Sequence, residues 1–126
     1  MSSCEIVNIK ENNSYDIYIG RPSIYGNPFS HLDNTIAKYR VNTVEESLLN
    51  FRNYLIENNY LIIEIENLKN KKLGCFCINS KEYKMGDKII CHGQIYQMYL
   101  SNPKYILDND LFINLLYNKR KFNSIF

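Results

Sequence analysis

Tryptophan is absent from this 126-residue chain, and proline occurs only three times, glycine five times and histidine twice. No stretch comes near the roughly 20 consecutive apolar residues that cross a bilayer. The N-terminal MSSCEIVNIKENN also lacks the basic-then-apolar order of a secretion signal. No segment reads as a membrane-spanning helix, and a cytoplasmic protein is expected. Neither sign of charge predominates: 15 Lys and Arg face 13 Asp and Glu, for a net charge of +2. That balance gives no global argument for nucleic-acid or membrane binding. There is no internal repeat and no low-complexity tail. The length suits one domain around one core. The hydrophobic fraction of 45% and charged fraction of 22% are ordinary for a globular protein. The four cysteines, in a compartment that keeps thiols reduced, read as packing, metal or chemistry rather than a disulfide frame.

The scarce glycines and prolines concentrate in one place. Asp16 to Phe29, DIYIGRPSIYGNPF, opens with Ile17 and Ile19 in alternation and breaks at Gly20. Arg21, Pro22 and Ser23 follow, then a second turn at Gly26-Asn27-Pro28. This is a strand running into a stiff polar loop, the kind of position that carries binding and catalytic groups. Upstream, Glu5 to Lys10 reads as a first strand, joined through Asn12-Asn13-Ser14 either as a hairpin or as a neighbour in a mixed sheet. Downstream, Ser30 to Asn42 is polar and irregular, with a helical turn around Ile36 to Tyr39.

Thr43 to Leu55 is the clearest helix. Thr43 and Glu46 have capping-box spacing, and Val44, Leu48, Phe51 and Leu55 fall on one face. Asn58-Asn59 ends it, and Tyr60 to Leu68 reads as a second helix leading to a Lys-Asn-Lys-Lys turn. Leu73 to Cys77 is a short apolar strand, Ile78 to Lys88 a loop, and Cys91-His92-Gly93 the opening of a helix from Gln94 to Leu100. After the break at Ser101-Asn102-Pro103, Asp108 or Asp110 caps a last helix from Leu111 to about Lys121. Its Lys119-Arg120-Lys121 end suits the negative helix pole and is read that way rather than as a nucleic-acid patch. The order predicts an α/β single domain, a central mixed sheet of short strands flanked by helices.

Three blocks carry a resemblance: Gly20 to Phe29 (GRPSIYGNPF), Lys72 to Cys77 (KLGCFC) and Cys91-His92-Gly93. Together they resemble the family catalogued as domain of unknown function 4326, from bacteria, phages and large DNA viruses. Its members share GRPSxWGNPF, a GKxLxCWC strand and a CHG or CHA helix opening. Tyr25 and Phe76 stand where the family has Trp, and the loop from Ile78 to Ile90 is longer than usual. The resemblance implies an α/β core over residues 1–101, with 102–126 as a helical extension of the same domain. It also implies host cytoplasm if the chain is virus-encoded. It carries no established activity.

The chemistry of the blocks frames two functions. A guanidinium directly after a strand suits a phosphate or carboxylate, so Arg21 is a candidate anion ligand, with Ser23 adding a donor. The alternative is that Arg21 pairs with an acid such as Glu45 or Glu46 and fixes the loop. Asn27 is held extended by Pro28, and its amide can orient a polar ring or hold its own turn. Tyr25 can stack on a ring or belong to the core, and His31 reads as a surface residue. In a regular strand Cys75 and Cys77 lie roughly 6.5 to 7 Å apart. Tetrahedral zinc wants sulfurs within about 4 Å, so a Cys75, Cys77, Cys91, His92 set demands an irregular backbone. Alternatively Cys75 and Cys91 are packing thiols, and His92 is a general base with Cys77 as a nucleophile. The leading expectation is a domain binding a phosphorylated, nucleotide-derived small molecule and hydrolysing or transferring part of it. Its alternative is a non-enzymatic, zinc-stabilised interaction module.

Overall fold

The computed structural model describes residues 4–9, 14–21, 23–30, 39–75 and 88–117. The chain forms β1 (Glu5–Asn8), β2 (Ile17–Tyr18), β3 (Phe29–Ser30), β4 (Tyr39–Arg40), α1 (Val44–Glu57) and α2 (Asn59–Ile65). A 3₁₀ turn at Glu66–Leu68 leads to β5 (Lys72–Cys75), α3 (His92–Ser101), α4 (Lys104–Leu107) and α5 (Asn109–Tyr117). It is an α/β architecture in a single small domain, as the pattern of elements predicts.

The sheet is organised by its latest strand. β5 lies between β1 and β2 and runs parallel to both, with Ile6 opposite Leu73, Asn8 opposite Cys75 and Ile17 opposite Leu73. The described strand pairs are all parallel, β3 with β4 included, where the sequence led to a mixed sheet. The hairpin alternative for β1 and β2 is therefore excluded by β5 itself. Leu73, Gly74 and Cys75 are buried in succession, as expected of a strand covered on both faces. Asp16 sets the register of β2: its N–H donates to the Lys72 carbonyl and its carboxylate accepts from the Lys72 N–H at 2.8 Å. Asn70, at φ 62°, makes the left-handed turn into β5, a conformation Asn tolerates better than most residues.

Helix α1 starts as expected, with the Thr43 hydroxyl accepting from the Glu46 N–H at 3.0 Å. The reciprocal half differs: Glu46 Oε1 accepts from the Asn42 N–H rather than from Thr43. Leu48, Phe51 and Leu55 form its buried face. The region Tyr60 to Leu68 is helical, as predicted, in α2 and the 3₁₀ turn. Helix α3 is buried from His92 to Met98 and again at Leu100, the signature of a central helix rather than a surface one. Beyond Pro103, α4 and α5 fold back, and the Asp108 carboxylate caps α5 by accepting from the Leu111 N–H at 3.1 Å.

One core joins all layers, through Ile6, Ile19 and Leu73 of the sheet, Phe51 and Leu55 of α1, Ile95 and Tyr96 of α3, and Ile106, Phe112 and Leu116 of the last helices. Among the described residues no helix is long and apolar enough to cross a membrane. Pro22, His31, the turn expected from Ile36, Phe76, Cys77 and Lys119-Arg120-Lys121 lie outside the described residues; Tyr39, at the end of that expected turn, is in β4.

Candidate functional site

The carboxyl ends of β1, β2 and β5 share one edge of the sheet, and both sequence blocks converge on it. Ile19, just past β2, donates its N–H to the Gly74 carbonyl and is fully buried. The chain then turns twice: the Ser23 N–H donates to the Gly20 carbonyl and the Gly26 N–H to the Ser23 carbonyl. The Ser23 hydroxyl accepts from the Tyr25 N–H at 3.1 Å. A Cβ on Gly26 would meet the Gly20 and Ser23 carbonyl oxygens and Arg21 Cα at 3.0 to 3.2 Å. Backbone closes on backbone there, so a side chain at 26 would require the turn to give by a few tenths of an ångström.

Arg21 holds this loop without an acid. Its Nε donates to the Asn27 carbonyl at 2.6 Å and its Nη2 to the Phe29 carbonyl at 3.0 Å. Neither Glu45 nor Glu46 is its partner, which corrects that expectation; among the described residues no carboxylate pairs with it. Two of the five guanidinium donors are used, and the side chain is half-buried. Asn27 faces inward. Its Nδ2 donates to Ser47 Oγ at 2.8 Å and its Oδ1 accepts from the Phe29 N–H at 2.9 Å. Ser47 Oγ in turn donates to the Phe29 carbonyl at 2.8 Å, tying the loop to α1. The amide expected to orient a ligand ring is committed at both ends to the scaffold. Tyr25 is half-buried, with its hydroxyl 3.5 Å from both the backbone oxygen and Oε2 of Glu64.

Cys91 is the N-cap of α3. Gln94 completes the cap, its Oε1 accepting from the N–H groups of Ile90 (2.7 Å) and Cys91 (3.0 Å) while its Nε2 donates to the Lys88 carbonyl. Gly93 lets the helix start approach the sheet, where a Cβ would lie 3.0 Å from Ile19 Cδ1. His92 is 5% exposed, and Nε2 lies 2.7 Å from the Ile19 carbonyl. A carbonyl only accepts, so Nε2 donates to it, and the other ring nitrogen is Nδ1. That nitrogen lies 3.9 Å from Cys91 Sγ, and Phe51 and Tyr96 meet the ring edge-on. Cys91 Sγ also lies 3.3 Å from Cys75 Sγ and accepts from the Gly93 N–H at 3.4 Å.

The two blocks are thus neighbours. His92 holds the carbonyl two residues before Arg21, and the buried Tyr96 hydroxyl donates to the Tyr25 carbonyl at 2.6 Å. Burial pushes the Tyr96 phenol well above its ordinary range, so it stays a donor. Cys75 and Cys91 come together, while Cys77 lies outside the described residues. Among the described residues no three His, Cys, Asp or Glu side chains are grouped to hold a metal. Sequence reasoning missed Ser47, Gln94 and Tyr96. Gln94 had a signal, its position three residues after the cap; the other two had none.

A family model described as "Domain of unknown function (DUF4326)" matches residues 7–102. The chain belongs to this family. The matched stretch of DUF4326 holds all three sequence blocks and ends at Asn102, the C-cap of α3, so α4 and α5 lie beyond it. Comparison with curated proteins and with solved structures gives no match.

Proposed function

We propose that the protein binds a phosphorylated, nucleotide-derived small molecule at the carboxyl edge of its parallel sheet, with Arg21 on the anion. The observation that carries this reading is the fixed guanidinium. Two backbone carbonyls orient Arg21 while three of its donors stay uncommitted among the described residues. A preorganised, half-exposed guanidinium suits bidentate contact with phosphate. Ser23 accepts from Tyr25 and still has its hydroxyl hydrogen to give. Open α/β sheets bind ligands at this edge. Hydrolysis or group transfer would place the proton on Nδ1 of His92, since Nε2 is engaged with Ile19; Cys77 is the nucleophile of that scheme.

Thermal-shift titration with nucleotides and sugar phosphates tests the binding. Ligand at 100-fold its dissociation constant adds about 2.7 kcal/mol of stability. Each variant is read against its own ligand-free midpoint, because Arg21→Ala also removes two loop bonds. The reading fails if no phosphorylated ligand shifts the wild type more than Arg21→Ala.

The sulfur pair favours a second reading, a non-enzymatic module stabilised by zinc. Cys75, Cys91, Nδ1 of His92 and Cys77 would be the ligands, and the Nε2 bond to Ile19 is the outer contact that metal-bound imidazoles make. Stoichiometric zinc in protein purified without added metal, and unfolding by chelator, would support it.

A further inference from the structure

Strand β5 ends and helix α3 begins at two covered sulfurs. Cys75 and Cys91, 16 positions apart in sequence, have Sγ atoms 3.3 Å from each other. Their exposures are 0% and 1%. Both are held from the backbone side, Cys75 by its pairing opposite Asn8 and Cys91 by the Gln94 cap. A disulfide has sulfurs about 2.05 Å apart, so closure asks for movement on the order of 1 Å at a strand end and a helix cap. His92 Nδ1 lies 3.9 Å from Cys91 Sγ, yet among the described residues no three His, Cys, Asp or Glu side chains are grouped to hold a metal.

We propose that Cys75 and Cys91 form a reversible intramolecular disulfide on exposure to a small hydroperoxide, clamping the start of α3 to the end of β5. One sulfur attacks the O–O bond; an S–O bond forms, the O–O bond breaks, and the thiol proton leaves with the departing oxygen. The second sulfur then displaces the hydroxyl of the sulfenic acid, forming the S–S bond and releasing water. The two thiols lose two electrons and two protons, and the hydroperoxide is reduced. Exchange with a dithiol restores the thiols. The clamp fixes Cys91, and with it His92 on the Ile19 carbonyl, so it acts at the edge where the two sequence blocks meet.

This inference is independent of the anion site and competes with zinc for the same sulfurs. The experiment uses the full chain, reduced, with its metal content measured first. Hydrogen peroxide is added, thiols are counted, and peptides are mapped without reduction. Two of the four cysteines should lose their thiols, with the Cys75 peptide linked to the Cys91 peptide. The thermal midpoint should rise by about 10 °C, the scale expected for closing a loop of this length. Dithiothreitol should reverse both changes. Cys4→Ser should behave as wild type, and Cys75→Ser should show neither change; if it does not fold, the wild-type map decides alone. The proposal is overturned if Cys75 and Cys91 stay as thiols, become sulfinic acids, or link to Cys77 or another chain. It is equally overturned if the protein carries stoichiometric zinc that peroxide merely releases.

Discussion

Arg21 and Asn27 share one loop and divide its work unequally. Asn27 is wholly internal, bonded to Ser47 and the Phe29 N–H, whereas Arg21 gives two donors to the loop and, among the described residues, keeps three. Counting donors at each residue, rather than noting its polarity, separates scaffold from candidate ligand group. The same attention to single atoms yields a pH dependence at Cys4. This residue precedes β1, is buried, and its carbonyl accepts from Gln97 Nε2 at 2.9 Å. Burial, with a smaller contribution from Glu5, pushes its thiol from 9.0 up to about 12. The unfolded thiol therefore loses its proton above about pH 9, while the folded one keeps it to about 12. Between those values the unfolded state binds fewer protons, so stability is full below the window and falls as pH rises through it. The expected loss is about 1.4 kcal/mol per pH unit, on the order of 4 kcal/mol across the window. Urea midpoints of wild type and Cys4→Ser, followed from pH 8 to 11, check this. The Cys4→Ser curve should be flatter, and parallel curves would refute the assignment.

Helix α3 is the element on which site and core depend together, and one side chain at its start bonds three backbone groups. Gln94 satisfies the Ile90 and Cys91 N–H groups and the Lys88 carbonyl at once. Gln94→Ala would remove the acceptor that the buried Cys91 N–H now has, so a loss of about 2–4 kcal/mol is expected from urea unfolding. Faster amide exchange at Ile90 and Cys91 should accompany it; a loss under about 1 kcal/mol would mean that the cap does not hold the segment. How far such elements were legible depends on how local their causes are. Helix α1 was readable because its cap and its face are written within fourteen residues. The cap of α3 was half-readable, since Cys91 and Gln94 have the spacing but cysteine is not an ordinary cap residue. The parallel sheet was not readable: β5 pairs with strands more than fifty residues earlier, and nothing in β1 or β2 records that separation. Arg52 shows the same limit. It is buried because it reaches the Ile106 carbonyl and Asn109 Oδ1, 54 and 57 positions away.

The whole molecule is closed by residues that the family match does not cover. That match ends at 102, yet Ile106, Phe112, Leu115 and Leu116 are each no more than 1% exposed and belong to the common core. Arg52 pins them from α1, with Nε on the Ile106 carbonyl at 2.8 Å and its guanidinium carbon 5.4 Å from the Phe112 ring centre. Fully burying one such side chain is worth about 1.5–3 kcal/mol. Four together approach the whole stability of an ordinary domain, about 5–15 kcal/mol. A chain ended after Asn102 is therefore expected to lose its cooperative urea transition, although it retains every strand among the described residues and all three sequence blocks. Circular dichroism through a urea titration reads this directly. A truncated chain that still unfolds cooperatively, with less than about 2 kcal/mol lost, would show that α4 and α5 are attached to a self-sufficient core. The opposite outcome would mean that the edge carrying Arg21 and His92 exists only when the C-terminal helices are packed behind it.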